Sequence, residues 1–275
     1  MFRKNVEIIL SMLKDSDKVL DIGGWAKPFN RADYVIDLLP YDTRGVLGHQ
    51  GPDEERFTKE NWAVFDLCGR DPLPYPDKFF DFVICSHTLE DIRDPIHVCS
   101  EINRVGKAGY IEVPSRLLES IIGLESPKFT GYYHHRWLVT VENGVFTFKF
   151  KPPLLNSSWR YHFPSKRLKQ LKPEEWNSWM FWQDSFRYRE VITTSLSKIR
   201  RELESFVIEN NGYPSWKYLI APLSSPKTAI EKKVMSSTVL APIAIKLLGK
   251  AFAESISKRK ESDAFWESIP EITST

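Results

Sequence analysis

Between residues 18 and 115 the chain alternates short apolar runs with polar or helical stretches, and each run ends on polar residues. The runs occupy residues 19–22, 34–36, 63–65, 80–85 and 109–113. Such continuous apolar runs predict the buried strands of a parallel sheet with helices packed on its faces. Before them, residues 1–14 space charged and apolar positions as an amphipathic helix does. Between the fourth and fifth runs, Asp94-Pro95 opens a helix with Ile96, Cys99 and Ile102 on one side, and Gly106 and Gly109 end it.

Past Pro114 the pattern changes and aromatic residues crowd together. Residues 137–141 and 145–150 alternate as strands and are joined through Glu142-Asn143-Gly144, whose Asn-Gly pair suits a tight turn, so a β-hairpin is expected. Pro173-Glu-Glu-Trp176 reads as a helix start, predicting a helix with Trp176, Trp179 and Gln183 on one face. Residues 195–211 form a second amphipathic pattern ended by Asn211-Gly212. The expected organisation is a ligand-binding α/β core over residues 1–117, a substrate cap with remaining core elements over 118–223, and a helical or partly disordered tail over 224–275.

The chemistry concentrates at the strand ends. Val19-Leu-Asp21-Ile-Gly23-Gly24 is a buried strand that closes on an acid and turns on two glycines, at the edge where open α/β sheets bind ligands. A dinucleotide loop needs Gly-x-Gly-x-x-Gly; here Trp25-Ala-Lys-Pro28-Phe29 follows, and the next glycine is Gly45, so NAD and FAD are disfavoured. Asp37 follows the second run and is placed to accept hydrogen bonds from ribose hydroxyls. Asp66 follows the third and is placed for an adenine amine, with Leu67 against the ring. Three acids at successive strand ends also suit a cationic sulfonium ligand.

Composition narrows the setting. The 275 residues are 42% hydrophobic, and 38 Lys and Arg oppose 36 Asp and Glu for a net charge of +2, so no global field favours nucleic acid. Cys68, Cys85 and Cys99 include no Cys-x-x-Cys pair, which argues against a disulfide framework or a zinc site and for a reducing cytoplasm. Residues 1–14 lack the features of a signal peptide. Residues 234–248 are apolar but carry Pro242 and Lys246 and fall short of the roughly 20 residues of a membrane span. Val239, Ile243, Leu247 and Ala251, flanked by Lys232, Lys233, Lys246 and Lys250, fit either an interfacial helix touching a membrane surface or a docking helix.

The ordered series Asp21-Ile-Gly-Gly-Trp-Ala-Lys-Pro-Phe29, Asp37, Asp66-Leu, Leu73-Pro-Tyr-Pro-Asp-Lys-Phe-Phe-Asp-Phe-Val83, Ser86-His-Thr-Leu-Glu-Asp-Ile-Arg-Asp-Pro95, Glu101-Ile-Asn-Arg-Val105 and Gly109-Tyr-Ile-Glu-Val-Pro114 resembles the class I S-adenosylmethionine-dependent methyltransferases over roughly the first 115 residues. The resemblance implies a Rossmann-like, doubly wound sheet, here with an appended aromatic-rich α+β cap containing the hairpin. It implies S-adenosylmethionine as cofactor, held by Asp21, Gly23, Gly24, Asp37, Asp66, Leu67 and Ser86. The chain departs from the family's pattern where a third glycine and a full helix usually follow the first strand, because only about ten residues separate Gly24 from the next run.

Methyl transfer from a sulfonium is an in-line displacement that rests on holding the acceptor close and excluding water. For a hydroxyl acceptor a base helps. His87, at the ligand edge past the fourth strand, either takes that proton or shapes the cofactor pocket. The other candidates lie in Tyr132-Tyr-His-His-Arg136-Trp137: His134 or His135 as base, with Tyr133 and Arg136 contacting the substrate. Adjacent histidines point apart on a strand, so no metal site is expected there. The resulting expectation is a small-molecule acceptor, a saccharide or sugar-linked precursor, methylated on oxygen in preference to nitrogen. The alternative is a methyltransferase fold retained for binding or scaffolding, at a membrane surface.

Overall fold

The computed structural model describes residues 1–45, 54–211, 264 and 272–274. The chain divides into two compact units: residues 1–151, 165–191 and 273–275 form the first, and residues 152–164 and 192–272 the second.

In the first unit, helix α1 (Arg3–Met12) precedes β1 (Val19–Ile22), β2 (Tyr34–Asp37), β3 (Trp62–Val64) and β4 (Phe82–Ser86). Helix α2 (Pro95–Val105) then leads to β5 (Ala108–Pro114) and the short α3 (Arg116–Glu119). β6 (Trp137–Glu142), β7 (Val145–Phe150), β8 (Asn177–Gln183) and β9 (Arg187–Ile192) complete it. The main sheet runs β3-β2-β1-β4-β5-β8, parallel except for β8, so the order reverses between β1 and β4 as in a doubly wound nucleotide-binding sheet. This bears out the α/β expectation. β6 and β7 form the predicted hairpin, with Asn143 and Gly144 both at positive φ in its turn, and β9 pairs with β7 in parallel. Ile272–Ser274 adds a short strand beside β9.

β1 is buried at every residue, Asp21 included, as its three apolar positions predict. Leu20, Ile22, Val83, Cys85 and Ile111 face one core with α2, while Val19, Val35, Phe82, Ile84 and Tyr110 face a second with Ile9 of α1. Asp94 caps α2 by accepting from the His97 N–H at 3.1 Å, and Pro95 occupies its first turn.

One expected element is wrong. The helix read from Pro173 is only a turn at Pro173–Glu175, and the aromatic block that follows is strand β8, paired antiparallel with β5 from Ala108↔Gln183 to Pro114↔Asn177. The period explains the error: Met180 and Trp182 pack into one core, Trp179 and Phe181 into the other. A strand covered on both faces is apolar at every position, and its aromatics mimic a helical face.

In the second unit, α4 (Leu196–Asn211) realises the helix expected at 195–211, with Leu203 and Val207 buried and Phe206 6.0 Å from Phe163. The apolar segment 234–248 and nearly all of the tail at 224–275 lie outside the described residues. Among the described residues no helix is long and apolar enough to cross a membrane.

Candidate active site

The carboxyl ends of β1, β2, β4 and β5 meet on one edge of the main sheet, and the predicted acids sit along it. Asp21 is paired with Val35 in register, and Asp37 with Val64. Asp21 is buried, and its Oδ2 accepts the Phe29 N–H at 2.7 Å. Burial, opposed by that bond and reinforced by nearby Asp37, pushes its pKa up to about 7. The short stretch after Gly24 forms no helix; it turns back and seats Phe29 on the acid. Asp21 therefore shapes the loop from inside through Oδ2.

Gly23 has φ +77°, and a Cβ there would fall 2.0 Å from Thr88 Oγ1, while one on Gly24 would meet Asp21 Oδ2 at 2.7 Å. Both positions thus require glycine, the first for backbone conformation and both for close approach. Asp37 holds the loop from the other side: Oδ2 accepts Trp25 N–H at 3.0 Å and Oδ1 accepts Leu39 N–H at 2.9 Å. Partial burial raises its pKa against those bonds. Asp66 is exposed and its Oδ1 accepts Cys68 N–H at 2.8 Å, with Leu67 packed in the core.

Two side chains beside β4 leave buried oxygens without a hydrogen-bond donor among the described residues, one Glu90 oxygen having only the His87 ring near it. The Ser86 hydroxyl makes no hydrogen bond, and neither oxygen of the Glu90 carboxylate makes one although the residue is 1% exposed. Buried polar groups in a folded chain are almost always paired, so orphaned oxygens at a ligand edge fit a polar or cationic ligand that supplies the missing donors. With side-chain-free Gly23 and Gly24 and the half-buried Asp37, these residues fit S-adenosylmethionine.

His87, at φ +55°, sits in a conformation that costs a non-glycine residue on the order of 1–3 kcal/mol. Its Nε2 lies 3.1 Å from Glu112 Oε1 and its Nδ1 3.6 Å from Glu90 Oε1. Burial works against a charged ring, but the Glu112 hydrogen bond and the Glu90 carboxylate overcome it and lift the pKa to about 9. Both nitrogens face carboxylates while the side chain stays 39% exposed, an arrangement that favours the protonated ring.

Glu112 anchors this region from the centre of β5. It is fully buried and accepts from the Phe2 N–H at 2.8 Å, Asn177 Nδ2 at 2.9 Å, the Tyr110 hydroxyl and His87. Burial would raise its pKa, but the hydrogen bonds outweigh it and hold the acid below the ordinary glutamate value. Neither Glu112 nor Glu90 was singled out from the sequence, yet an acid in the middle of Tyr110-Ile-Glu-Val113 breaks a buried apolar run, which is the signal that could have flagged it.

The segment before the hairpin docks onto the loop after β4. Arg136 N–H donates to Glu90 O at 2.8 Å, and Trp137 Nε1 donates to Ile92 O at 2.7 Å. His134 and His135 lie in a turn and not on a strand, with ring centroids 4.5 Å apart, so the geometry behind the expected absence of a metal site does not hold. His135 is nearly buried, and its Nδ1 lies 2.7 Å from Glu119 Oε1; Glu119 also takes a hydrogen bond from Lys151 Nζ. His134 is half exposed, with Nε2 4.0 Å from Asp91 Oδ1 and Nδ1 3.6 Å from Glu125 Oε2. Tyr133 and Arg136 are exposed beside them. Asp91, Glu119 and Glu125 carried no sequence signal, because their partners are distant in the chain.

Residues 51–111 match the family model of the methyltransferase domain. No curated protein matches the chain. Among solved structures, the chain is similar to an S-adenosylmethionine-dependent methyltransferase from Aquifex aeolicus, at 21% identity over 41% of this chain and 65% of that one, with a TM-score of 0.28. It is similar to another from Mesorhizobium loti, at 18% identity over 53% and 63%, TM-score 0.29. A third is a Haloferax volcanii protein solved in complex with the Trm112 methyltransferase activator, at 22% identity over 42% and 51%, TM-score 0.30. The chain thus spans between about half and two thirds of the length of these structures. The family match over residues 51–111 joins a sheet whose order reverses between β1 and β4. What the chain shares with known proteins is thus a match to a methyltransferase domain over residues 51–111.

Proposed function

We propose that this chain, in a reducing cytoplasm, methylates a hydroxyl of a small molecule, a saccharide or sugar-linked precursor being the favoured class. The supporting observation is the pairing of a glycine-lined, acid-bearing sheet edge with orphaned buried oxygens on Ser86 and Glu90, next to an exposed rim of Tyr133, His134 and Arg136. When bound, S-adenosylmethionine supplies an electrophilic methyl group. Asp37 is placed to accept from the ribose hydroxyls, while Gly23 and Gly24 let the backbone come close. The Glu90 carboxylate would complement positive charge, and Ser86 would offer a hydroxyl to the same ligand.

On the acceptor side, the exposed Arg136 guanidinium suits a phosphate or carboxylate, and Tyr133 offers a ring face to a sugar. The Asp91, His134 and His135 cluster is where the acceptor's proton is expected to leave, because both ring nitrogens of His87 already face carboxylates. Glu119 fixes the His135 ring by accepting from its Nδ1, which leaves Nε2 as the lone-pair nitrogen.

Calorimetric titration with S-adenosylmethionine tests the cofactor half; no heat from the wild-type chain would overturn the reading. Incubating the chain with labelled cofactor and a panel of sugars, sugar phosphates and nucleotide-linked sugars tests the acceptor half. Label incorporated into an alkali-stable ether is expected, and incorporation only into amines would overturn the oxygen preference.

A further inference from the structure

We infer that Asp91, His134 and His135 form a binding site for one divalent transition-metal ion, oriented by Glu119. The donor atoms of the three residues lie within 4.8 Å of one another, although Asp91 and His134 are 43 positions apart in the chain. Two imidazoles and one carboxylate are the donor set of zinc and related ions, and three protein ligands leave positions open for water or for an acceptor oxygen. The imidazoles disfavour magnesium and calcium, which take oxygen ligands.

A cluster of such side chains forms easily by chance at a surface. Here the outer contacts set it apart. Metal-binding histidines almost always direct the second ring nitrogen at a carboxylate or carbonyl, which fixes the tautomer and aims the other nitrogen. His135 does this with Glu119 at 2.7 Å, and Glu119 is itself buried and held by Lys151. His134 turns Nδ1 toward Glu125 at 3.6 Å while its Nε2 faces Asp91.

Two donors each about 2.1 Å from an ion can be no more than about 4.2 Å apart, so the cluster must contract slightly. Asp91 and His134 are the exposed members, and rotation of their side chains supplies that contraction while His135 stays in place. The role of such an ion rests on the methyl-transfer reading: an acceptor hydroxyl at an open position would become more acidic, as metal-bound water does, and its proton would pass to solvent. The binding itself does not depend on that reading.

The test is titration of the tag-free full chain with Co2+, followed by visible absorption and by competition with Zn2+. One equivalent is expected to bind, with affinity at least tenfold weaker in Asp91→Ala and in His134→Ala, both of which keep the buried His135 intact. Glu119→Gln should weaken binding by about 10–100-fold, as loss of an outer carboxylate does. Absence of the absorption band, or equal binding by wild type and His134→Ala, would overturn the site. S-adenosylmethionine calorimetry without metal separates the two readings: cofactor binding with no Co2+ binding sinks the metal site alone, and Co2+ binding with no cofactor binding sinks methyl transfer alone.

Discussion

Along the carboxyl edge of β1, β2 and β3, each acid is held by a backbone amide close to it in sequence: Asp21 by Phe29, Asp37 by Trp25 and Leu39, Asp66 by Cys68. Along β4 and β5 the partners are other side chains and distant segments. Glu112 binds His87, 25 residues away, Asn177, 65 away, and Phe2, 110 away. The first region is a set of independent local turns, whereas the second is a network whose members share partners and so do not contribute additively. A local turn tolerates the loss of one acid. A network with buried charges does not.

The sharpest way to break this comparison is Glu112→Ala. It leaves the buried Tyr110 hydroxyl, the half-buried Asn177 and the more exposed His87 without their shared acceptor, and each buried polar group left unsatisfied costs about 1–3 kcal/mol. Urea unfolding should show that loss; a change below about 1 kcal/mol would mean the network is no more than a set of weak contacts.

Next in size is Gly23→Ala, which forces a Cβ onto Thr88 at φ +77°. Strain and overpacking together should cost on the order of 3 kcal/mol by the same measurement, along with cofactor affinity. Asp37→Ala should leave the fold close to wild type and weaken S-adenosylmethionine by about 1.5–3 kcal/mol, the usual worth of hydrogen bonds to a charged acceptor. Unchanged calorimetric affinity would remove Asp37 from the cofactor site.

The two regions also differ in pH response. His87 titrates near 6.5 when free and about 9 in the fold, so its pairing with Glu112 stabilises the chain fully below about pH 6.5, and that stability is lost as pH rises toward 9. Asp21 moves from 3.8 to about 7, so the fold is favoured by its protonated form below about pH 4 and loses that contribution as pH rises through 7. Thermal melts should show Asp21→Asn flattening the lower arm and His87→Gln the upper. The smallest effect belongs to Asp66→Ala: an exposed acid with one local bond should change stability by less than about 0.5 kcal/mol.

The sequence by itself determined the strands at the sheet centre, the glycine turn after β1, the capped start of α2 and the hairpin, because each is written in contacts between neighbours: unbroken apolar runs, an acid beside an amide, Asn-Gly in a turn. Tertiary structure decided β8, whose aromatics fit either a helix or a doubly covered strand until β5 offered it an edge. It also decided that His87 meets Glu112, and that Asp91, Glu119, His134 and His135 gather into one cluster. Those groups lie between 16 and 44 residues from their partners, and only a folded sheet brings such separations within the few ångströms over which hydrogen bonds and ligands act.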